Sequence, residues 1–101
     1  MLARHYAPRT PLELIETRDA EHVRRLAEEG LRVAWLVRGE REEVPGVRII
    51  RMPAEAAGYA ATLYTTLHAL DDEGFDRIVV EAPPEEPAWL AIRDRLRRAA
   101  I

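Results

Sequence analysis

The residue types that could do chemistry in this chain are few. Its histidines are His5, His22 and His68, the side chains whose ordinary pKa lies nearest neutrality. No two of them have the spacing of a helical zinc pair, and nothing nearby completes a ligand set. There is no cysteine, so a disulfide framework and thiolate chemistry are excluded. Glu40, Glu42 and Glu43 form a carboxylate cluster, but Arg41 interrupts it and the ligand spacing of a calcium loop is missing. A solvated turn is expected there. Gly30, Gly39, Gly46, Gly58 and Gly74 stand too far apart for a dinucleotide or phosphate-binding loop. The residues by themselves therefore assign no catalytic group, no metal ligand and no cofactor.

Arg93, Arg95, Arg97 and Arg98 concentrate positive charge near the end of the chain. Asp94 lies one helical turn before Arg97 and Arg98 and can pair with either, and a helix C-terminus favours such cations without a ligand. The net charge is −3, so no overall basic field draws nucleic acid or anionic membrane, and direct binding of RNA or phosphate by this helix is not expected. The longest apolar runs fall far short of the roughly 20 residues that span a bilayer. A cytoplasmic address and no membrane partner are expected, with oligomeric state left open. Abundant Arg and Glu suggest a thermophile-like composition.

The opening stretch is different. His5-Tyr6-Ala7-Pro8 brings two aromatic donors and a proline together ahead of any structural element, and Pro11 follows. Prolines fix φ and restrict the residue before them, so residues 1–11 are expected to form a stiff, linker-like arm that must dock on some surface, and residues 12–101 a single domain.

The elements that would position these residues follow from pattern. Residues 12–16, LELIE, alternate as a strand does. A helix is expected over TRDAEHVRRLAEEG, capped by Thr17 or Asp19, with Ala20, Val23, Leu26 and Ala27 inward and Gly30 as the stop. LRVAWLVR, residues 31–38, is apolar without alternation, the mark of a strand covered on both faces. VRIIRM, residues 47–52, carries Arg48 and Arg51 and is expected at an edge. A helix over residues 54–73 presents Ala56, Ala60, Leu63, Leu67 and Leu70, with Tyr64 expected in the core and Tyr59 at its rim. His68 is expected at the surface or half buried, His22 in solvent. DRIVVEA is a further buried strand, and AWLAIRDRLRRAA a closing helix with Pro87 near its first turn. Trp35 and Trp89 are expected as packing anchors.

This order implies an α/β chain, a three-layer Rossmann-like sandwich with a mainly parallel four-stranded sheet and about three helices. The connection after the second strand is short for a parallel crossover, so its neighbour is either antiparallel or reached by an unusual short crossover. The expected strand order is 3-2-1-4. In such sheets ligands bind outside the carboxyl ends of the strands, here at Glu16-Thr17, Arg38-Gly39, Met52-Pro53 and Glu81-Ala82, which makes a small-ligand or nucleotide-binding regulatory module the alternative function.

Three stretches carry a resemblance to a known family. MLARHYAP, from Met1, resembles the linker G-M-K-Y-x-H-Y-A-P that precedes the C-terminal domain of two-domain threonylcarbamoyl-AMP synthases, with Leu2 and Ala3 in place of the usual Lys and Tyr. YAATLYTTLHALDDEGFDRIVVEAPP is similar to that domain's L-Y-x-x-L-R-x-L-D helix and strand, with Tyr64, Leu67, Leu70 and Asp71 matching and His68 where Arg is usual. LAIRDRLRRAA resembles its closing motif through Ala91, Ile92, Asp94, Arg95, Leu96, Arg98, Ala99 and Ala100.

The resemblance implies an accessory domain in tRNA threonylcarbamoyladenosine biosynthesis, not catalytic by itself, that docks to or regulates a YrdC-like catalytic domain in cis or in trans. The family's catalytic residues belong to that other domain, after which this chain begins, so none is carried over. Arg4, His5, Tyr6 and Pro8 are implied as lid or partner contacts, and Tyr64, Asp71, Asp94 and Arg95 as ligand-facing residues.

Overall fold

The computed structural model describes residues 7–101. In chain order the elements are β1 (Leu12–Ile15), α1 (Glu21–Glu28), β2 (Val33–Arg38), β3 (Val47–Met52), α2 (Ala56–Asp72), β4 (Arg77–Glu81), a 3-10 turn (Pro87–Trp89) and α3 (Leu90–Ala99). The four strands form one sheet, all parallel, in the order β1-β4-β2-β3.

Successive side chains of a strand point to opposite faces, and here both faces are covered. Val33, Trp35, Val37 and Val79 meet Val23 and Leu26 of α1. Leu12, Ala34, Leu36, Ile78 and Val80 meet α2 through Leu63, Leu67 and Leu70, and α3 through Ile92 and Leu96. The result is the expected three-layer α/β arrangement, with α1 on one face and α2 and α3 on the other. β2 is interior and β3 lies at an edge, as their patterns require.

The strand order differs from the expected 3-2-1-4, because β4 inserts between β1 and β2. Ile78, Val79 and Val80 are all fully buried, so β4 needs apolar cover on both faces. β1 buries Leu12 completely but leaves Glu13 through Ile15 only half-buried. The more apolar strand takes the interior position.

β2 and β3 resolve to the unusual short crossover, since they pair in parallel, Trp35 beside Ile49. Residues 39–46 make the connection without a helix. They cross the α1 face, where Val44 is buried in the α1 cluster. Gly46 has φ +83, and a Cβ there would lie 3.2 Å from the Cβ of Ala27. The positive φ favours glycine, and an added Cβ would press against α1.

Neither Thr17 nor Asp19 takes the capping position expected of it, which falls to Ala20, one residue before α1. Asp19 Oδ1 accepts the Glu21 N–H at 3.0 Å, which serves one of the free amides of α1, and Gly30 leaves the helix with φ +95. On α2 the two tyrosines exchange the roles expected of them. Tyr59 is 1 % exposed and meets Trp89 edge-on at 5.3 Å, whereas Tyr64 is 50 % exposed. The buried face runs Tyr59, Leu63, Leu67, Leu70, a spacing of four, four and three, and Tyr64 stands one residue, about 100°, off that stripe.

Candidate functional site

Two places gather polar groups in ways the sheet alone does not require. The first lies where the chain enters the domain. Asp71, in the last turn of α2, accepts the backbone N–H of Arg9 through Oδ2 and that of Thr10 through Oδ1, each at 3.0 Å. Thr10 is buried, Pro8 is half-buried, and the Pro11 carbonyl accepts the Ile78 N–H at 2.9 Å. Residues 9–11 are thus joined to both α2 and the start of β4.

A carboxylate that takes two backbone amides fixes the direction of that segment more firmly than one contact can. Tyr64, His68 and Asp71, spaced by four and three residues, share one stripe of α2, and the Tyr64 and His68 rings lie 4.4 Å apart at 60°. Tyr64 and Asp71 thus stand two turns apart on one stripe of α2, and Asp71 lies against the segment that follows Pro8. Arg4, His5 and Tyr6 lie outside the described residues.

Asp94 and Arg95 sit on a different element, α3. Asp94 pairs with Arg97 at 3.5 Å and Arg98 at 3.2 Å, so both alternatives read from the spacing are realised. Arg95 is exposed. Neighbouring Arg93, grouped by sequence with the basic run, is instead 8 % exposed. It donates to the Pro83 carbonyl, to Glu16 at 3.1 Å and to Glu85 at 3.3 Å. Its spacing from Trp89 and Leu96, four and three, is the signal that places it on the buried stripe.

The second place is the carboxyl end of the sheet. A cavity of about 420 Å³ opens there, lined among others by Glu16, Arg18, Arg38, Ala54, Glu81 and Ala82. Glu81, which follows the apolar run Ile78 to Val80 at the end of β4, is buried. Its carboxylate accepts from Nε and Nη2 of Arg41. Arg41 reads as part of a solvated turn, but a carboxylate buried at a strand end requires such a cation. Glu40, Glu42 and Glu43 around it are exposed, as expected.

Arg38 donates to the Ala54 carbonyl from Nε at 3.2 Å and Nη2 at 3.1 Å, and lies 4.6 Å from the Trp89 ring centroid. The Tyr59 hydroxyl is buried there without a hydrogen-bond partner. Burial holds its pKa well above the usual phenol value, Glu81 adds to the rise, and Arg38 opposes it.

His22 departs from the solvated position expected of it. Its Nε2 pairs with one oxygen of Glu13, whose other oxygen takes Arg77. Glu13 alternates onto the α1 face of β1, so the polar side of α1 meets it. Among the described residues there is no group of three or more His, Asp or Glu side chains that could hold a metal ion, and no helix is long and apolar enough to cross a membrane.

Comparison with known proteins supplies the family context. Residues 1–101 match the family described as threonylcarbamoyl-AMP synthase, C-terminal domain. The chain is 33 % identical over 103 residues to the threonylcarbamoyl-AMP synthase of Bacillus subtilis (strain 168), which covers 95 % of this chain and 30 % of that protein. The crystal structure of P. abyssi Sua5 complexed with L-threonine superposes with a TM-score of 0.79 at 27 % identity, over 96 % of this chain and 30 % of that one. The C-terminal Sua5 domain from Pyrococcus horikoshii, at 21 % identity and a TM-score of 0.69, covers 90 % of this chain and 93 % of its own, and shows the shared fold. The chain thus spans 30 % of the length of the first two relatives.

Proposed function

Because the chain belongs to the threonylcarbamoyl-AMP synthase C-terminal domain family, we propose that it serves threonylcarbamoyl-AMP formation for tRNA modification as an accessory domain. In this reading residues 12–101 are the folded body and residues 1–11 the arm. The body contributes no catalytic residue and docks onto a YrdC-like catalytic domain, in cis or in trans. Arg4, His5, Tyr6 and Pro8 make the contact.

The observation that carries this reading is the Asp71 clasp on the amides of Arg9 and Thr10. A segment that acts on a neighbouring domain gains from leaving its own domain at a fixed point and in a fixed direction. Each residue left free to rotate would cost about 1–2 kcal/mol when ordered on docking. Hydrogen bonds to a charged acceptor are worth about 1.5–3 kcal/mol each, enough to hold the end of the arm in place before it meets a partner.

The test uses this chain with a separately produced YrdC-like domain, following pyrophosphate release from ATP, threonine and bicarbonate. The chain alone is expected to release none, and release would refute the non-catalytic reading. Binding to the catalytic domain should weaken with His5→Ala plus Tyr6→Ala and with Asp71→Ala, and unchanged affinity in the first variant would refute docking through the arm. Asp71→Ala should also lower the stability of the isolated chain by about 2 kcal/mol in urea unfolding.

A further inference from the structure

The carboxyl end of the sheet has a layout that the docking role does not use. β1 and β4 are neighbours, yet the chain leaves them toward opposite faces. From β1 it runs to α1, packed with Val23 and Leu26 on one side, and from β4 to α3, packed with Ile92 and Leu96 on the other. Connections that diverge in this way open a crevice between adjacent strand ends, where parallel α/β sheets bind ligands. The cavity of about 420 Å³ lies at those strand ends, within the roughly 300–1,000 Å³ of small-molecule sites.

The charges around it are unevenly matched. Glu81 is engaged by Arg41, and Glu16 by Arg93. Arg18 and Arg38 also line the cavity, and neither has a carboxylate partner among the described residues. The Arg38 guanidinium is held in place by the Ala54 carbonyl and the Trp89 ring, and its Nη1 makes no described hydrogen bond. One fixed and one exposed guanidinium, with the lining acids already engaged, suit a compact dianion.

We propose that this crevice binds a small molecule through a phosphate group held between Arg18 and Arg38. The carboxylates in its wall set it apart from a polyanion-binding surface and confine recognition to a single small anion. The source of the phosphate is either a nucleotide or the free ion, and the experiment separates them.

The ¹⁵N-labelled chain is titrated at constant ionic strength with inorganic phosphate, with AMP and with acetate, and amide shifts are followed. Phosphate and AMP are each expected to shift Arg18, Gly39 and Ala82. Equal affinity identifies free phosphate as sufficient, while tighter AMP binding identifies the nucleotide. Arg18 is exposed, so Arg18→Glu should leave the rest of the spectrum unchanged and weaken phosphate binding about tenfold or more. The proposal is overturned by absence of shifts at millimolar phosphate and AMP, by acetate acting as strongly as phosphate, or by Arg18→Glu leaving the affinity unaltered. None of these outcomes bears on arm docking, which is read through the catalytic domain.

Discussion

Tyr59 shows how a single residue can conflict with its surroundings and still be kept there by packing. Its ring sits edge-on to Trp89 at 5.3 Å, while its hydroxyl is buried without a partner. Burial raises its folded pKa above the value of about 10 that it has when unfolded. Above pH 10 the unfolded chain gives up the proton and the folded chain keeps it, so the unfolded state gains and stability falls. Below pH 10 the contribution is fully present. All 15 basic side chains are arginine, so no lysine titration overlaps this window. Between pH 10 and 11 the wild type should therefore lose about 1 kcal/mol more stability than Tyr59→Phe, read from urea unfolding at each pH. Parallel declines would show that the phenol is not held in its neutral form by the fold.

At the scale of elements, the short crossover between β2 and β3 depends on one position. Gly46 has a positive φ, and a Cβ added there would lie 3.2 Å from the Cβ of Ala27. Gly46→Ala should cost about 1–2 kcal/mol by backbone strain, seen as a lower urea midpoint with an unchanged slope. An unaltered midpoint would mean that the loop has room to move off α1. The elements themselves were largely legible in sequence, because each had a pattern of its own: the unbroken apolar run of β2, the arginines of β3, and the glycines after α1 and α2. Their neighbours were not. Whether β1 or β4 stands beside β2 depends on which strand has two apolar faces to cover, a comparison between segments that no single segment contains. Tyr59 and Tyr64 failed similarly, since a stripe begun at Ala56 and one begun at Tyr59 share Leu63, Leu67 and Leu70. The strand ends of the crevice could be named from the order of elements, whereas the pairings of Arg41 with Glu81 and Arg93 with Glu16, over 40 and 77 positions, could not. Asp71 was marked by the family resemblance alone, and its partners are backbone amides, which leave no trace in side-chain sequence.

Across the whole molecule the two candidate sites occupy opposite ends of the sheet. The Asp71 clasp lies at the amino end, where Pro11 meets Ile78 and the Ile101 N–H meets the Leu12 carbonyl at 2.9 Å. The crevice lies at the carboxyl end. Strands of four to six residues separate them by roughly 13–20 Å at about 3.3 Å per residue. Between the two ends run β2 and β4, with Val33 to Val37 and Ile78 to Val80 buried on both faces. Such a layer resists the small displacements by which one site could inform another, because close-packed cores offer no second arrangement nearby. Coupling between sites needs an element with two discrete states that both ligands bias, and the interior strands are poor candidates. Saturating the crevice with phosphate should accordingly change the affinity of the chain for a catalytic domain by less than about twofold, equivalent to under roughly 0.4 kcal/mol of coupling. By reciprocity, the catalytic domain should leave phosphate affinity equally unaltered. A tenfold change in either direction would refute this independence. It would also place the responsive element outside the sheet, on the α2 and α3 face, where both helices pack on one core and can shift together without breaking a strand pairing.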